Sequence, residues 1–369
     1  MIMKKILTYI LSALVLCSCD MDLTPKNTVT DDDLMGSSKG MAIYMARLYS
    51  YMPFEDFKYM AAWGFNFNGW LGTLGIDGCG EAMNRDDVFR TFRSEDNPCW
   101  SSAFVLIHDA NHLLEELPEH KSHFTDAEFN FFMGQGYFVR AYVFYQMARR
   151  FGGIPLVTST IAYPNESSAL EVPRASEEQT WDQICDDFDM AISLLPQTTL
   201  LSGLPNKYAA LAFKAEAMLY AGSVAKYNET VSGRLTGLGS KTGVRVIGFD
   251  SGSYKQAYTR YFSESYKAAR EVMKSGAYSL YKKKWVAGDK DAMYQNMVDM
   301  FSDLTSPENI FVKEYQYPSL THGLDAYSSP FIFRDPLCSG SCPSLDFVEL
   351  FDGFERYADG TIKVTDGAD

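Results

Sequence analysis

Apolar residues recur at intervals of three and four positions through most of this 369-residue chain, and that spacing restricts it to a mainly helical fold. The clearest stretch covers residues 137–151, where two glycines and then Pro155 follow the last apolar position, as expected beyond a helix C-terminus. A second stretch covers residues 176–195 and opens with a capping box, in which Ser176 is followed three positions later by Gln179. Each of these segments is predicted to be an amphipathic helix.

Further segments show the same helical spacing. Glycines mark the predicted ends of two of them, at Gly222 and Gly276. The predicted helices cover residues 31–52, 97–117, 208–222 and 258–276.

Small residues occupy matching positions in alternate helices of the central part of the chain. The helices meant are those predicted over residues 137–151, 176–195, 208–222 and 258–276. Ala141 in the first matches Ala215 in the third, and Ala191 in the second matches Ala269 in the fourth. Helix pairs that repeat with small residues at their close contacts resemble tetratricopeptide proteins. We therefore expect a mainly α fold, with a tetratricopeptide-like helical-repeat scaffold over residues 31–300.

Aromatic residues set among glycine, asparagine and proline interrupt the helical pattern in two places. The first is a predicted loop insertion near residues 53–96, and the second is an irregular region over residues 301–369. Residues 309–312 within the second have the composition of a strand, and residues 226–253 are predicted to form a loop or a short hairpin. Because binding residues concentrate in loops that a rigid scaffold carries, both interruptions are candidate binding regions.

The charge of the chain excludes one class of partner. Lys and Arg number 33 against 47 Asp and Glu, which gives a net charge of −14. Binding to a phosphate backbone requires a basic surface. Nucleic acid is therefore not expected as a partner.

The N-terminal residues 1–18 have the pattern of a signal peptide, because two lysines precede an apolar run that is too short to span a bilayer. The run ends in Leu16-Cys17-Ser18-Cys19, which resembles the bacterial lipobox. This pattern predicts that Cys19 is acylated and that residues 19–30 form a tether to the membrane. The alternative is an ordinary cleavage site with two incidental cysteines.

Aromatic side chains make up 14% of the residues, which is more than one core needs. A sugar ring presents an apolar face of C–H groups that stacks on tryptophan or tyrosine, while asparagine and aspartate hydrogen-bond its hydroxyls. The alternative for a loop tryptophan is a packing anchor, and Trp100 and Trp181 lie on amphipathic faces and are predicted to be core. The candidate ligand-binding residues are Trp63, Asn66, Asn68, Trp70 and Asp77 in the first region, and Tyr315, Tyr317 and Tyr327 in the second.

Some short patterns imitate catalytic or metal-binding motifs. His108 and His112 stand one helical turn apart, as in zinc proteases, but Asp109 replaces the glutamate that such sites use as a general base. Residues 36–40 imitate a nucleophile elbow and residues 237–243 imitate a phosphate loop. We favour helix packing for the histidine pair, helix capping for residues 36–40 and a surface loop for residues 237–243. No catalytic residue, metal or cofactor is therefore predicted.

The cysteines beyond Cys19 are odd in number, so at least one is unpaired. Cys338 and Cys342 are close enough in sequence to bridge a small loop, but the sequence leaves the pairing open. The five are Cys79, Cys99, Cys185, Cys338 and Cys342.

The order and spacing of several motifs resemble those of the SusD-like (RagB/SusD) nutrient-binding lipoproteins of Bacteroidetes. The most specific feature is the helix containing Arg140-Ala141 followed by Phe151-Gly152-Gly153-Ile154-Pro155. The other matching features are the lipobox, Trp100 with residues 107–111, and residues 134–141, 150–157, 173–176, 191–196 and 275–280.

This resemblance implies a tetratricopeptide-like scaffold overlaid by an irregular subdomain. It also implies a lipid-anchored outer-membrane protein, facing the cell exterior, that is not an enzyme. Such proteins bind oligosaccharides or other nutrients and cap a SusC-like TonB-dependent transporter. Residues 345–349 resemble a motif that family members follow with a substantial C-terminal region, so we expect residues 301–369 to begin an incomplete region.

The expected function is therefore capture of glycans at the cell surface and their delivery to that transporter. One alternative is a lipid-anchored glycoside hydrolase, whose carboxylate pair cannot be identified by spacing among 47 acidic residues. The other alternative is a helical-repeat adaptor that binds only proteins.

Overall fold

The computed structural model describes residues 30–52, 82–84, 99–161, 171–199, 201, 203–231, 235–316, 341–350, 353, 355–361 and 363. This part of the chain is mainly helical, and the predicted fold class is confirmed. A short antiparallel pair joins residues 82–84 to residues 341–343, with Met83 opposite Cys342. In chain order the elements are α1 Asp31–Met35, α2 Ser38–Tyr51, β1 Ala82–Asn84, α3 Cys99–Glu116, a 3₁₀ helix Leu117–His123, α4 Asp126–Phe151, α5 Glu177–Leu194, α6 Lys207–Thr230, α7 Tyr254–Ser275, α8 Lys290–Ser302, β2 Ser341–Pro343 and α9 Leu345–Glu349.

Local side-chain caps explain where the long helices begin and end. Thr125 and Glu128 form a capping box at the start of α4, and Ser176 and Gln179 form the predicted box at the start of α5. Each box satisfies backbone N–H groups that have no partner inside the helix. At the other end of α4, Gly152 has φ of 70°, a conformation that glycine adopts without a steric penalty.

The predicted single helix over residues 31–52 is wrong, because the structure has two helices there. The side chain of Ser37 accepts a hydrogen bond from the Gly40 backbone N–H at 3.1 Å and so starts α2. Gly36 lies between the two helices as the C-cap of α1. Residues 36–40 therefore have the capping role that the sequence favoured over a nucleophile elbow.

Gly222 does not end a helix, contrary to the prediction, and α6 continues to Thr230. A Cβ atom at Gly222 would lie 2.5 Å from a ring carbon of Phe262 on α7. This glycine therefore permits a close approach of two helices and is not a stop signal. Gly276 does end α7, in the left-handed conformation with φ of 66°.

The predicted strand over residues 309–312 is also wrong, since the structure has bends and irregular backbone there. The apolar side chains serve the core instead. The ring of Phe311 lies 5.6 Å from that of Phe138 and 6.0 Å from that of Phe213. Helix α8 was not anticipated from the sequence.

Residues 235–249, here called the 235–249 loop, contain the short hairpin that the sequence allowed. Leu238 and Arg245 form an antiparallel bridge, and Gly243 has φ of 69° near the turn. Residues 237–243 form turns at the surface and so match the predicted surface loop.

Consecutive helices pack antiparallel, as expected for helical repeats. In α4 and α5, Phe138 contacts Phe188 with ring centroids 6.3 Å apart, and Tyr145 contacts Trp181 at 6.1 Å. In α6 and α7, Lys207 Nζ lies 2.6 Å from Glu271, and Lys214 Nζ lies 2.9 Å from Glu264. The order of these contacts reverses along the second helix of each pair, which confirms the predicted antiparallel pairing.

The core lies between these helices and is largest around α4. Ala141 and Ala191 are completely buried, as expected at close helix contacts. Ala215 and Ala269 are half-buried, and the Ala215 carbonyl accepts a hydrogen bond from Ser265 at 2.8 Å across the α6–α7 contact. Among the described helices, none has the length and apolar composition needed to cross a membrane.

Arg140 joins three segments inside this core. Its guanidinium donates to both carboxylate oxygens of Asp187 on α5, at 2.7 and 2.8 Å. It also donates to Asn111 on α3 at 2.9 Å and to the Thr158 carbonyl at 3.2 Å. Asn111 in turn donates to the Val157 carbonyl at 2.9 Å. The network fixes the extended segment after α4 against two helices.

Candidate functional site

Most of the predicted site residues lie outside the described part of the chain, so those predictions stay open. Of the predicted ligand-binding set, Tyr315 lies within it. The lipidation site and seven ligand residues lie outside it, namely Cys19, Trp63, Asn66, Asn68, Trp70, Asp77, Tyr317 and Tyr327.

Tyr315 lies in an irregular segment that is attached to the core through Phe311. The tyrosine is half-buried, and the ammonium of Lys313 lies 5.6 Å from its ring centroid. Tyr315 is therefore partly accessible, on a segment that packs against α4 and α6. That position is compatible with the predicted stacking role.

The two tryptophans predicted to be core have different surroundings. Trp181 is fully buried. Trp100 is half-buried, packs edge-on against Phe151 at 4.9 Å, and lines one wall of a cavity of about 480 Å³. Phe104 and His108 continue that wall at four-residue intervals along α3. The lining of this cavity is mostly apolar, so it suits an apolar part of a ligand.

The paired histidines have structural contacts in this fold. The His108 and His112 rings stack with centroids 6.4 Å apart, and His112 Nε2 lies 3.0 Å from an oxygen of Asp31 on α1. Ile107 and Ala110 on the same helix are buried. This arrangement favours the helix-packing interpretation over the zinc-protease pattern.

A cluster of metal-ligand residue types does occur within the described residues, but a lysine stands among them. Cys185, Asp189 and Glu264 place ligand atoms within 4.8 Å of one another. Lys214 Nζ donates to Asp189 at 2.7 and 2.9 Å and to Glu264 at 2.9 Å. The ammonium thus supplies the positive charge that these carboxylates require, and the cluster joins α5, α6 and α7.

The protonation states of this cluster follow from burial and pairing. Burial lowers the pKa of Lys214, but hydrogen bonds to Asp189 and Glu264 outweigh it and raise that pKa above its usual value. Burial raises the pKa of Cys185 to about 12, so its thiol is protonated at neutral pH. The thiol is free. The side chains of the other four cysteines beyond Cys19 are outside the described part.

Replacing Lys214 by methionine is expected to lower the free energy of unfolding by about 1–3 kcal/mol at pH 7, because two neighbouring carboxylates lose their shared cation. The pKa of Glu264 is lowered by Lys267 and by Lys214, so its stabilising contribution is present above its unfolded pKa and is lost as pH falls through its folded pKa. The deficit should therefore shrink in acid. Urea denaturation at pH 7 and pH 3.5 measures both values.

A matched control is Lys226→Met, which removes an exposed lysine paired with Glu229 on the same helix. That change should alter stability by less than about 0.5 kcal/mol. A deficit of the Lys214 variant that grows in acid would contradict the assigned pairing.

A cleft of about 450 Å³ lies between the C-terminal half of α6 and the 235–249 loop, and is here called the tyrosine cleft. Tyr220 and Tyr227 lie on its α6 side with 39% and 47% of their surfaces exposed. The residues Arg149, Arg150, Ser223 and Ile247 also line it.

The walls of the tyrosine cleft are held by buried polar groups. Asn228 accepts a hydrogen bond from the Phe249 N–H at 2.6 Å and donates to the Leu235 carbonyl at 3.3 Å. Glu177 accepts from the Gly248 N–H at 2.5 Å and from the Trp181 indole at 3.2 Å. Burial raises the pKa of Glu177. These contacts fix the 235–249 loop to both α5 and α6.

The sequence prediction missed this cleft because it ended the helix at Gly222. Tyr227 then fell in a predicted loop, and its relation to Tyr220 was lost. The seven-residue interval between the two tyrosines is the signal that a correct helix boundary would have revealed.

Comparison with known proteins finds similarity to SusD-like proteins. Residues 80–219 match the SusD-like family model described as "Starch-binding associating with outer membrane". SusD-like protein P2 of Formosa agariphila is 26% identical over 239 residues, which cover 62% of this chain and 45% of that protein. The chain thus spans less than half the length of this curated relative.

Solved structures share the fold. A SusD-like protein of Bacteroides fragilis has a TM-score of 0.56 and 20% identity, and a SusD-like carbohydrate-binding protein of the same species has a TM-score of 0.57 and 16% identity. Each comparison covers 91% of this chain and 56% of the other. The family model, the curated relative and the shared fold agree that this chain is similar to SusD-like proteins.

Proposed function

We propose that this protein binds oligosaccharides at the cell surface and delivers them to a TonB-dependent transporter of the outer membrane. The observation that carries the proposal is the match of residues 80–219 to a family described as starch-binding and associated with the outer membrane. These residues include α3, α4 and α5, which form the largest part of the described core. The glycan itself, the transporter and the orientation at the membrane belong to the proposal.

The predicted loop residues supply the ligand contacts in this proposal. Trp63 and Trp70 offer stacking faces, and Asn66, Asn68 and Asp77 offer hydrogen-bonding groups. Tyr315, Tyr317 and Tyr327 add a second aromatic group. Stacking hides apolar area from water, and each Å² contributes about 25 cal/mol.

A glycan array probed with the protein, followed by calorimetry on the glycans that bind, tests the binding step. We expect binding to at least one oligosaccharide class, weakened at least tenfold when Trp63 and Trp70 are both changed to alanine. Chromatography of the glycan after incubation should show no shortened products, because cleavage would support the hydrolase alternative. An array without any bound glycan, together with capture of a protein partner, would favour the adaptor alternative.

Anchoring is tested by Cys19→Ala, which removes the thiol that the lipobox pattern marks for acylation. We expect the variant to leave the membrane fraction, since two or more acyl chains hold a protein far more firmly than none. Ser18→Ala keeps the cysteine and serves as the control. Mass spectrometry that finds an unmodified Cys19 in the membrane-bound protein would refute the anchor.

Delivery is tested by cross-linking on intact cells and by uptake. We expect one dominant β-barrel partner and slower uptake of the glycan when the protein is deleted. Unchanged uptake on deletion would refute the delivery step while leaving glycan binding in place.

A further inference from the structure

We propose that the tyrosine cleft binds an extended oligosaccharide along α6, with one sugar ring on Tyr227 and another on Tyr220. This inference rests on the proposed glycan-binding function and adds a binding site outside the loop regions predicted from the sequence. Its evidence is the spacing of the tyrosines, their exposure and the fixed polar walls around them.

The spacing of the two tyrosines suits alternate sugars of an extended chain. Seven residues separate them on one helix, so they share a face and stand about 10.5 Å apart along the helix axis. A sugar ring in an extended chain advances roughly half of that distance. Rings that contact both tyrosines would therefore be separated by one intervening sugar.

The ring of Tyr220 and the helix end that carries Tyr227 are both held in place. Trp181 lies beneath Tyr220, with ring centroids 5.7 Å apart, and the Tyr220 hydroxyl donates to the Arg149 carbonyl at 3.5 Å. Tyr227 lies in the last two turns of α6, whose end is tied to the 235–249 loop through Asn228. Little side-chain entropy is lost when a ligand meets a ring that is already held, as that of Tyr220 is.

Polar groups line the same cleft and match the hydroxyls at the edge of a sugar ring. Arg149 and Arg150 each donate to Gln146 Oε1, at 2.8 and 2.9 Å, and this holds both guanidinium groups near the cleft wall. Ser223, one turn from each tyrosine along α6, donates its O–H to the Leu219 carbonyl at 2.7 Å and so offers its oxygen as an acceptor. The opposite wall includes the apolar side chain of Ile247. Aromatic faces combined with guanidinium and hydroxyl groups suit a sugar better than a purely apolar ligand.

The test uses maltose-series and cellobiose-series oligosaccharides of two to six units as probes, with calorimetry on the whole protein. For the wild type, affinity should rise with chain length until the ligand covers both tyrosines. Tyr227→Ala should lower the affinity for the hexasaccharide about tenfold and change that for the disaccharide less than twofold, because a short ligand can use the other ring. Tyr220→Ala should act in the same way.

Tyr266→Ala is the matched control, since Tyr266 is 62% exposed on α7 and does not line the cleft. It should leave every affinity unchanged. Tyr227→Phe keeps the ring and should retain most of the binding. If Tyr220→Ala is unstable because Trp181 loses a neighbour, the exposed Tyr227 still decides the outcome.

Two different outcomes would contradict the proposal that the tyrosine cleft binds an oligosaccharide. Glycan binding that does not change in the Tyr227 and Tyr220 variants at any chain length would reject the cleft and leave the proposed function standing. A wild-type protein that binds no probe and no glycan on the array would reject both.

Discussion

Replacing Arg140 by alanine is expected to lower the free energy of unfolding by about 3–5 kcal/mol, because it leaves a buried carboxylate without its cation. Asp187 is 2% exposed and receives two charge-assisted hydrogen bonds from Arg140, at 2.7 and 2.8 Å. Asn111 and the Thr158 carbonyl lose a donor at the same time. The effect should appear as a lower urea midpoint.

The loss should depend on pH in a defined direction. Burial already raises the pKa of Asp187 in the intact protein, although Arg140 opposes that rise. Without the guanidinium, the folded-state pKa of this carboxyl should rise further. A raised folded-state pKa favours the folded variant below the unfolded pKa and disfavours it as pH rises through the folded value. The deficit of Arg140→Ala should therefore be largest near neutral pH and smaller at pH 4.

Arg260→Ala is the control for this experiment. Arg260 lies 3.0 Å from Glu178 and 2.9 Å from Asp182, but its side chain is 45% exposed. Exposed pairs contribute at most about 1 kcal/mol. Similar losses in the two variants would show that burial does not set the strength of the Arg140 network.

The features that the sequence predicted correctly depend on residues close together in the chain. The capping box of Ser176 and Gln179 and the helix end at Gly276 are decided within four positions, and the structure confirms both. The Arg140–Asp187 pair is different, because 47 positions separate its members. Periodicity places each residue on a helix, but it does not reveal which charged side chain turns inward.

Gly222 shows why a local signal can also mislead. Glycine near a helix end usually indicates a stop, yet here it makes room for Phe262 on the next helix. That requirement comes from the tertiary contact and is absent from the local sequence. The error shortened α6 in the prediction and hid the tyrosine cleft. Composition indicated aromatic rings beside polar groups as the candidate binding residues, and that stays a prediction.

Replacing Trp181 by alanine is the other change with a large expected effect, a loss of about 3–5 kcal/mol in the free energy of unfolding. Trp181 is fully buried between α4 and α6, with its ring 6.1 Å from that of Tyr145 and 5.7 Å from that of Tyr220. Its indole N–H also donates to the buried Glu177 at 3.2 Å. The variant therefore leaves both a cavity and an acceptor with one donor fewer.

Trp181→Phe separates these two contributions. Phenylalanine keeps most of the ring volume but cannot donate to Glu177, so a smaller loss of about 1–3 kcal/mol is expected. Trp285→Ala is the control for tryptophan removal, because Trp285 is 41% exposed and its loss should cost less than about 1 kcal/mol. Thermal or urea denaturation of the three variants shows which one loses the most free energy of unfolding. Equal losses for Trp181→Phe and Trp181→Ala would mean that the hydrogen bond to Glu177, and not the ring, carries the stability.

The variants Trp181→Ala and Trp181→Phe also test whether the core supports sugar binding in the tyrosine cleft. Because Trp181 supports the ring of Tyr220 from below, Trp181→Ala should weaken hexasaccharide binding in conditions where the variant is still folded. Trp181→Phe retains a supporting ring and should bind more tightly than the alanine variant. Calorimetry at a temperature well below both unfolding midpoints makes the comparison. If both variants bind the hexasaccharide as well as the wild type does, Tyr220 does not depend on this support, and the preorganisation argued for the cleft is wrong.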